Sequence, residues 1–277
     1  MNPPRSRLRL DLLLLERGLF ESREKAQRAI MAGEVWVEGE RRDKAGTPTS
    51  PHAIIEVRAA ERFVSRGGHK LEGALKEFCI DPAGWHCMDV GSSTGGFTDC
   101  LLQHGATGVT AIDVGRGQLH WKLRQDPRVD LHEGVNARDL GAFAHMGRTY
   151  QLAVADLSFI SLRLVLPAVF PLLSAPGHVI ALIKPQFEVG KGMVGKGGIV
   201  RDPALHQEVL DGLTTWLDAL QASLSQTLNT AGIIPSPILG REGNKEFLWW
   251  IKTGSPSNTT PPSAWASSSI RIKPALM

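Results

Sequence analysis

The sequence predicts an α/β protein in two parts: a small α+β head, then a larger domain built on a mostly parallel sheet with helices on both faces. Two observations predict it. From about residue 85 to 253, short apolar runs alternate with helix-length amphipathic stretches, the order of strands joined by crossover helices. Residues 8–60 instead read helix, turn, helix, hairpin. The 277 residues, 42% hydrophobic and 21% charged, supply one enzyme-sized core and one small module. Apolar runs such as residues 12–15 are too short to cross a bilayer, and no leader pattern opens the chain, so a cytoplasmic protein is expected. Cys79, Cys87 and Cys100 have neither a zinc spacing nor an even count, so neither a metal nor a disulfide framework is expected.

In the head, Leu8, Leu10, Leu12, Leu13 and Leu15 predict a first helix stopped by Gly18. Ser22 can cap a second helix over 23–32, with Ala26, Ala29 and Ile30 on its inner face and Arg23, Lys25 and Arg28 left to solvent. Strands are expected at 34–38 and 54–57. Residues 1–76 hold 15 Lys/Arg against 11 Asp/Glu, while the rest is near neutral, which hints at a polyanionic partner. The phrase R-E-K-A-Q-R-A-I-M-A-G-E-V-W-V-E-G resembles the αL-type RNA-binding domain over about 50 residues. On that resemblance Arg23, Lys25 and Arg28 would neutralise backbone phosphates and release counterions.

Residues 61–84 read as a basic linker and lead-in helix, with Gly67 and Gly68 breaking the chain just before Lys70. Beyond them, strands are expected at 86–90, 109–113, 152–156, 179–184 and 247–252, and helices near 97–103, 162–173 and 204–220. Residues 254–277, rich in Ser, Pro and Thr, read as a disordered tail.

The sharpest motif is D-V-G-S-S-T-G-G-F-T-D, residues 89–99, a strand turning into a helix. Glycines at 91, 95 and 96 would let a ligand approach the backbone. The spacing is G-x-x-x-G-G with Phe97 next, not the G-x-G-x-x-G that seats a pyrophosphate. It suits a ligand with an amino-acid moiety and no phosphate, such as S-adenosylmethionine. Asp113, ending the next strand, is placed for both hydroxyls of an adenosine ribose. Asn136 is placed for the adenine, and Asp156 lies over the crevice at the carboxyl edge of the sheet.

Lys70, Asp156, Lys184 and Glu246 are charged residues at the rim of an apolar sheet, costly there unless mutually paired. They suit methyl transfer to a ribose 2′-hydroxyl, a poor nucleophile until its proton is held or removed. Lys184 would be base or orienting group and Lys70 the neighbouring cation. Asp156 would align Lys184 and sit near the methyl donor, and Glu246 would steady Lys70 or the ribose.

The run V-S-R-G-G-H-K-L-E, D-V-G-S-S-T-G-G-F-T-D, D-L-S-F-I-S-L, I-K-P-Q-F-E and G-N-K-E-F-L-W is similar to the TlyA, or hemolysin A, family over roughly residues 8–252. The resemblance implies an αL RNA-binding domain joined to an FtsJ-like, Rossmann-like methyltransferase domain. It implies cytidine 2′-O-methylation of 16S and/or 23S ribosomal RNA, on free rRNA or a ribosomal subunit. A Lys70–Asp156–Lys184–Glu246 tetrad and cofactor contacts at Gly91, Gly95, Phe97, Asp113 and Asn136 are implied with it. His69 stands where an apolar residue is expected. The glycine-rich stretch 190–202, with Lys191, Lys196 and Arg201, reads as a loop able to close over RNA. Two other readings compete: a non-catalytic ribosome-assembly factor, separable by S-adenosylmethionine binding, and a membrane-active haemolysin, separable by liposome leakage.

Overall fold

A computed structural model of the chain describes residues 7–58, 62–144, 147, 149–190, 192–222, 224, 226–240 and 243–254. It forms two compact units, divided between Arg62 and Phe63. The expected tail at 255–277 lies outside the described residues, as does Lys191. Among the described residues, no helix is long and apolar enough to cross a membrane.

The first unit runs β1 (Leu8–Arg9), α1 (Leu10–Glu16), α2 (Arg23–Met31), β2 (Val35–Val37), β3 (Glu40–Arg42), β4 (Pro48–Thr49) and β5 (Ile55–Val57). Leu8 is not helical as expected: it pairs with Thr49 in a two-stranded ribbon. The inner face of α1 is Leu10, Leu13 and Leu14, while Leu12 and Leu15 are exposed. A run of leucines offers every face to the core, so its composition could not choose between them. Gly18, at φ +67°, ends the helix by donating to Leu15. Ser22 caps α2 by accepting from the Lys25 N–H at 3.2 Å, and Ala26, Ala29 and Ile30 are its buried face. The three-stranded sheet takes the order β3-β2-β5.

Buried Asp11 organises this head. Its carboxylate accepts from Arg9 at 3.1 Å, Arg23 at 2.9 Å and Gln27 at 2.8 Å. Burial pushes its pKa up, but these donors outweigh burial and hold it well below the ordinary carboxylate range. Arg23 is therefore tied at one edge while its side chain stays 48% exposed. Lys25, also exposed, pairs with Glu21 one turn earlier.

The second unit opens with α3 (Gly67–Glu77), which leads into β6 (His86–Val90), α4 (Gly96–Gln103), β7 (Gly108–Asp113), α5 (Trp121–Arg124), β8 (Val129–Glu133) and α6 (Gly141–Ala144). Then come β9 (Tyr150–Ala155), α7 (Leu162–Val169), β10 (Leu173–Ile183), α8 (Pro185–Glu188), α9 (Pro203–Gln221), β11 (Thr227–Pro235) and β12 (Phe247–Gly254). Its seven-stranded sheet takes the order β11-β12-β10-β9-β6-β7-β8, parallel except for β12, which runs antiparallel to both neighbours. Strands covered on both faces read as continuous apolar runs, as V-I-A-L-I in β10 does. Met88, Phe170 and Trp249 lie in one apolar layer; Leu101, Leu182 and Leu248 lie in the other.

The Gly67–Gly68 pair does not break the chain; it begins α3. A Cβ on Gly68 would come within 2.2 Å of the Phe63 ring, and one on Gly96 within 2.9 Å of the Gly68 nitrogen. These glycines let α3 and α4 approach backbone to backbone. His69, where an apolar residue was expected, packs edge-on against Phe63 with centroids 5.0 Å apart.

Candidate active site

The glycine turn sits where β6 hands over to α4. The N–H groups of Gly91 and Ser92 both donate to the Ile112 carbonyl, at 2.8 and 3.1 Å, so the turn is pinned to β7. Gly91 at φ +86° and Gly95 at φ +94° adopt left-handed conformations that disfavour a side chain. Protein neighbours add a second constraint beside the ligand access expected for these glycines. A Cβ on Gly91 would lie 2.7 Å from the Asp156 carbonyl oxygen, and one on Gly95 would lie 2.3 Å from a Leu123 methyl. The missing side chains are thus required by protein neighbours, and they set the shape of the turn.

The turn forms the wall of a cavity of about 610 Å³ that Arg66, Phe97, Asp156, Phe159 and Lys184 also line. A second cavity of about 470 Å³ shares Gly91, Ser93, Asp156 and Phe159 and extends to Asp113 and Asn136. Gly95 lines neither; it caps α4 from behind. Each Asp113 oxygen accepts one backbone N–H, from Ser93 at 2.7 Å and from Gly115 at 2.6 Å, which fixes the carboxylate and leaves lone pairs for a further donor. Exposed Asn136 accepts from the Arg138 N–H at 3.1 Å.

The four charged residues meet as two pairs. Lys184 Nζ lies 2.6 Å from Asp156 and donates to the Ser158 hydroxyl at 3.0 Å. Lys70 Nζ lies 2.5 Å from Glu246, both nearly buried. Lys70, Asp156 and Lys184 line the same cavity. The placement follows from topology: Asp156 and Lys184 leave the carboxyl ends of adjacent parallel strands, β9 and β10. Glu246 reaches that edge because it precedes the antiparallel strand β12, and Lys70 sits in the first turn of α3.

Among the cavity residues that carry no role in the sequence reading are Asp89, Ser158, Phe159 and Phe187. Asp89 is fully buried; Thr98 donates to one of its oxygens at 2.6 Å, and the other, Oδ1, has no hydrogen-bond partner among the described residues. Burial, reinforced by the charges of Asp156 and Asp113 against the Thr98 hydrogen bond, pushes its pKa up to about 7. A carboxylate closing the apolar stretch H-C-M was the available signal. Phe159 is 90% exposed at φ +64°, with its ring 5.1 Å from that of Phe187. An aromatic side chain just past a strand end, among polar neighbours, was the signal in both D-L-S-F and K-P-Q-F.

The expected loop at 190–202 is held at its far end. Asn244 accepts from the Val200 N–H and donates to the Gly198 carbonyl, both at 3.1 Å, and His206 contacts the Val200 carbonyl at 2.8 Å. Of the thiols, Cys87 and Cys100 are buried and Cys79 is exposed; burial pushes Cys87 up to about 12.

Comparison with known proteins agrees with this architecture. Residues 63–253 match the FtsJ-like methyltransferase family model, and residues 8–55 match the S4 domain. The chain is 46% identical to the 16S/23S rRNA (cytidine-2′-O)-methyltransferase TlyA of Mycobacterium tuberculosis, covering 89% of this chain and 90% of that one. It is 41% identical to hemolysin A of Brachyspira hyodysenteriae, covering 87% and 98%. A solved structure from Streptococcus thermophilus that carries the hemolysin name superposes with a TM-score of 0.66 at 42% identity, covering 93% of each chain. The chain belongs to the FtsJ-like methyltransferase family, S-adenosylmethionine-dependent enzymes, in its TlyA (hemolysin A) branch, and carries an RNA-binding S4 domain at its head.

Proposed function

We propose that the protein methylates the 2′-hydroxyl of cytidine in ribosomal RNA, in the 16S molecule, the 23S molecule or both, within the cytoplasm and on free rRNA or an assembled ribosomal subunit. The observation that carries this reading is the Lys184–Asp156 pair at the junction of the two cavities, with Lys70–Glu246 beside it. The names of the relatives supply the substrate.

The residues present fit S-adenosylmethionine. The unpartnered, buried Oδ1 of Asp89 suits an ammonium group, and fixed Asp113 with exposed Asn136 suits the ribose and base of an adenosine. Gly91 and Phe97 form wall around them, and Gly95 holds the turn in shape. When bound, the cofactor supplies an electrophilic methyl group on a sulfonium. The chain's own work is to bring a sugar oxygen to it in line and to manage one proton. Lys184 Nζ orients the 2′-hydroxyl and, once neutral, takes its proton, having first released its own to solvent; Asp156 and Ser158 fix the direction of that amine. Lys70, held by Glu246, places a second ammonium group in the cavity that Lys184 lines. Phe159 and Phe187 offer aromatic faces on which an unstacked base can lie.

The deciding experiment maps 2′-O-methyl groups in rRNA from cells with and without the protein. Loss of one or two cytidine methyls supports the reading; an unchanged map sinks it. In the head, changing Arg23, Lys25 and Arg28 together to alanine is expected to weaken RNA binding. The slope of log K against log salt should flatten by about 2–3 units if each residue neutralises one phosphate. A salt titration giving the wild-type slope would place the RNA on another face.

A further inference from the structure

Two segments build the catalytic edge: residues 156–161, which follow β9, and residues 184–188, which follow β10. The first carries Asp156, Ser158 and Phe159; the second carries Lys184, Gln186 and Phe187. Neither has the hydrogen-bond ladder of a strand to fix it against the other. At the inner end the link is Lys184 to Asp156 and Ser158. Further out the two phenylalanine rings meet. At the outer end stands Glu188. One of its carboxylate oxygens accepts the Ser161 hydroxyl at 2.6 Å, and the other accepts the Leu162 N–H at 2.7 Å.

We propose that Glu188 is a positioning residue: its carboxylate latches the 156–161 segment to α8, fixing the direction of Lys184 and the conformation of Phe159. The proposal rests on the active-site reading above. Phe159 is the reason a latch is needed, because φ +64° is a conformation an L-residue keeps only where its surroundings impose it. The next fixed point after Phe159 is the start of α7, which Glu188 grips. The carboxylate stands at the N-terminus of α7, where free N–H groups favour a negative charge, with Arg163 adding to that preference; burial works the other way and raises its pKa overall. A residue that served only as a helix cap would be redundant in part, since Ser161 already accepts the Arg163 N–H at 3.2 Å.

The test compares Glu188→Ala and Glu188→Gln in the full chain. It measures methyl transfer to rRNA, S-adenosylmethionine binding by calorimetry, and amide hydrogen exchange without cofactor. Glutamine can still accept from Leu162 and can donate to the Ser161 oxygen, so it keeps both arms of the latch. Alanine should lower kcat by about 100-fold, the cost of a misplacement near 1 Å, with KM for RNA and cofactor affinity within about threefold of wild type. Exchange should quicken at the 157–162 amides and stay unchanged in the sheet. Glutamine should retain at least about half of kcat and wild-type exchange. Three results overturn the latch: kcat within threefold of wild type in Glu188→Ala, glutamine as slow as alanine, or exchange quickened throughout the sheet. Absence of methyl transfer by the wild-type chain would instead remove the proposed function, while the exchange contrast between the two variants would still decide the latch.

Discussion

Lys184→Ala is expected to lower the methyl-transfer rate by about 10²–10⁴-fold while leaving S-adenosylmethionine affinity within about twofold. The amine lies in the cavity with its two partners, Asp156 at 2.6 Å and Ser158 at 3.0 Å, so its removal deletes the group proposed to handle the hydroxyl proton. The end proposed for the adenosine ribose and base, at Asp113 and Asn136, belongs to the neighbouring cavity, which Lys184 does not line. The fold should tolerate the change, because the Asp156 side chain left behind is 25% exposed and water can solvate it. Single-turnover kinetics with saturating cofactor read the loss in the chemical step. A residual rate within tenfold of wild type would assign the proton to another group, and a parallel loss of cofactor affinity would make Lys184 a binding residue.

Glu246→Ala is expected to destabilise the protein by about 3–5 kcal/mol, the cost of leaving one member of a buried ion pair without its partner. Glu246 and Lys70 expose 3% and 11% of their side chains, and their charged atoms lie 2.5 Å apart. At the second unit's size this corresponds to a fall in Tm of about 10 °C. The double variant Lys70→Met, Glu246→Leu removes both charges and should regain most of that stability, since a well-packed apolar pair often equals a buried ionic one. It should stay inactive, because the site has lost its second cation. Thermal unfolding of the three proteins checks this. A single variant that costs under about 1 kcal/mol would show that water reaches Lys70.

The contrast between what could and could not be read from the residues has a physical basis. Strands β6, β7, β9, β10 and β12 announce themselves because a strand buried on both faces must be apolar throughout. The edge strands escaped: half-solvated V-D-L-H-E makes β8, and β11 contains Gly232 beside a shift in register. The charged residues at the strand ends were legible because charge is expensive beside an apolar sheet. The Lys184–Asp156 pair follows from neighbouring strand ends, whereas Lys70–Glu246 joins the first turn of α3 to the residue before β12. The glycines were legible as special backbone positions, but their protein neighbours were not. Whether a missing Cβ makes room for a ligand or for Leu123 depends on residues 28 positions away. Phe159 and Glu188 went unassigned because their roles depend on each other's segments, a relation that neither local stretch contains.

The separation of 176 residues between Lys70 and Glu246 bears on how the enzyme comes into being. During synthesis, α3 and the parallel strands leave the ribosome long before the acid that neutralises Lys70. That lysine must remain hydrated until β12 slots between β10 and β11, which defers closure of this edge until β12 has been made. A polypeptide halted before residue 246 therefore carries its RNA-binding head, glycine turn and Lys184 but lacks the acid that pairs with Lys70.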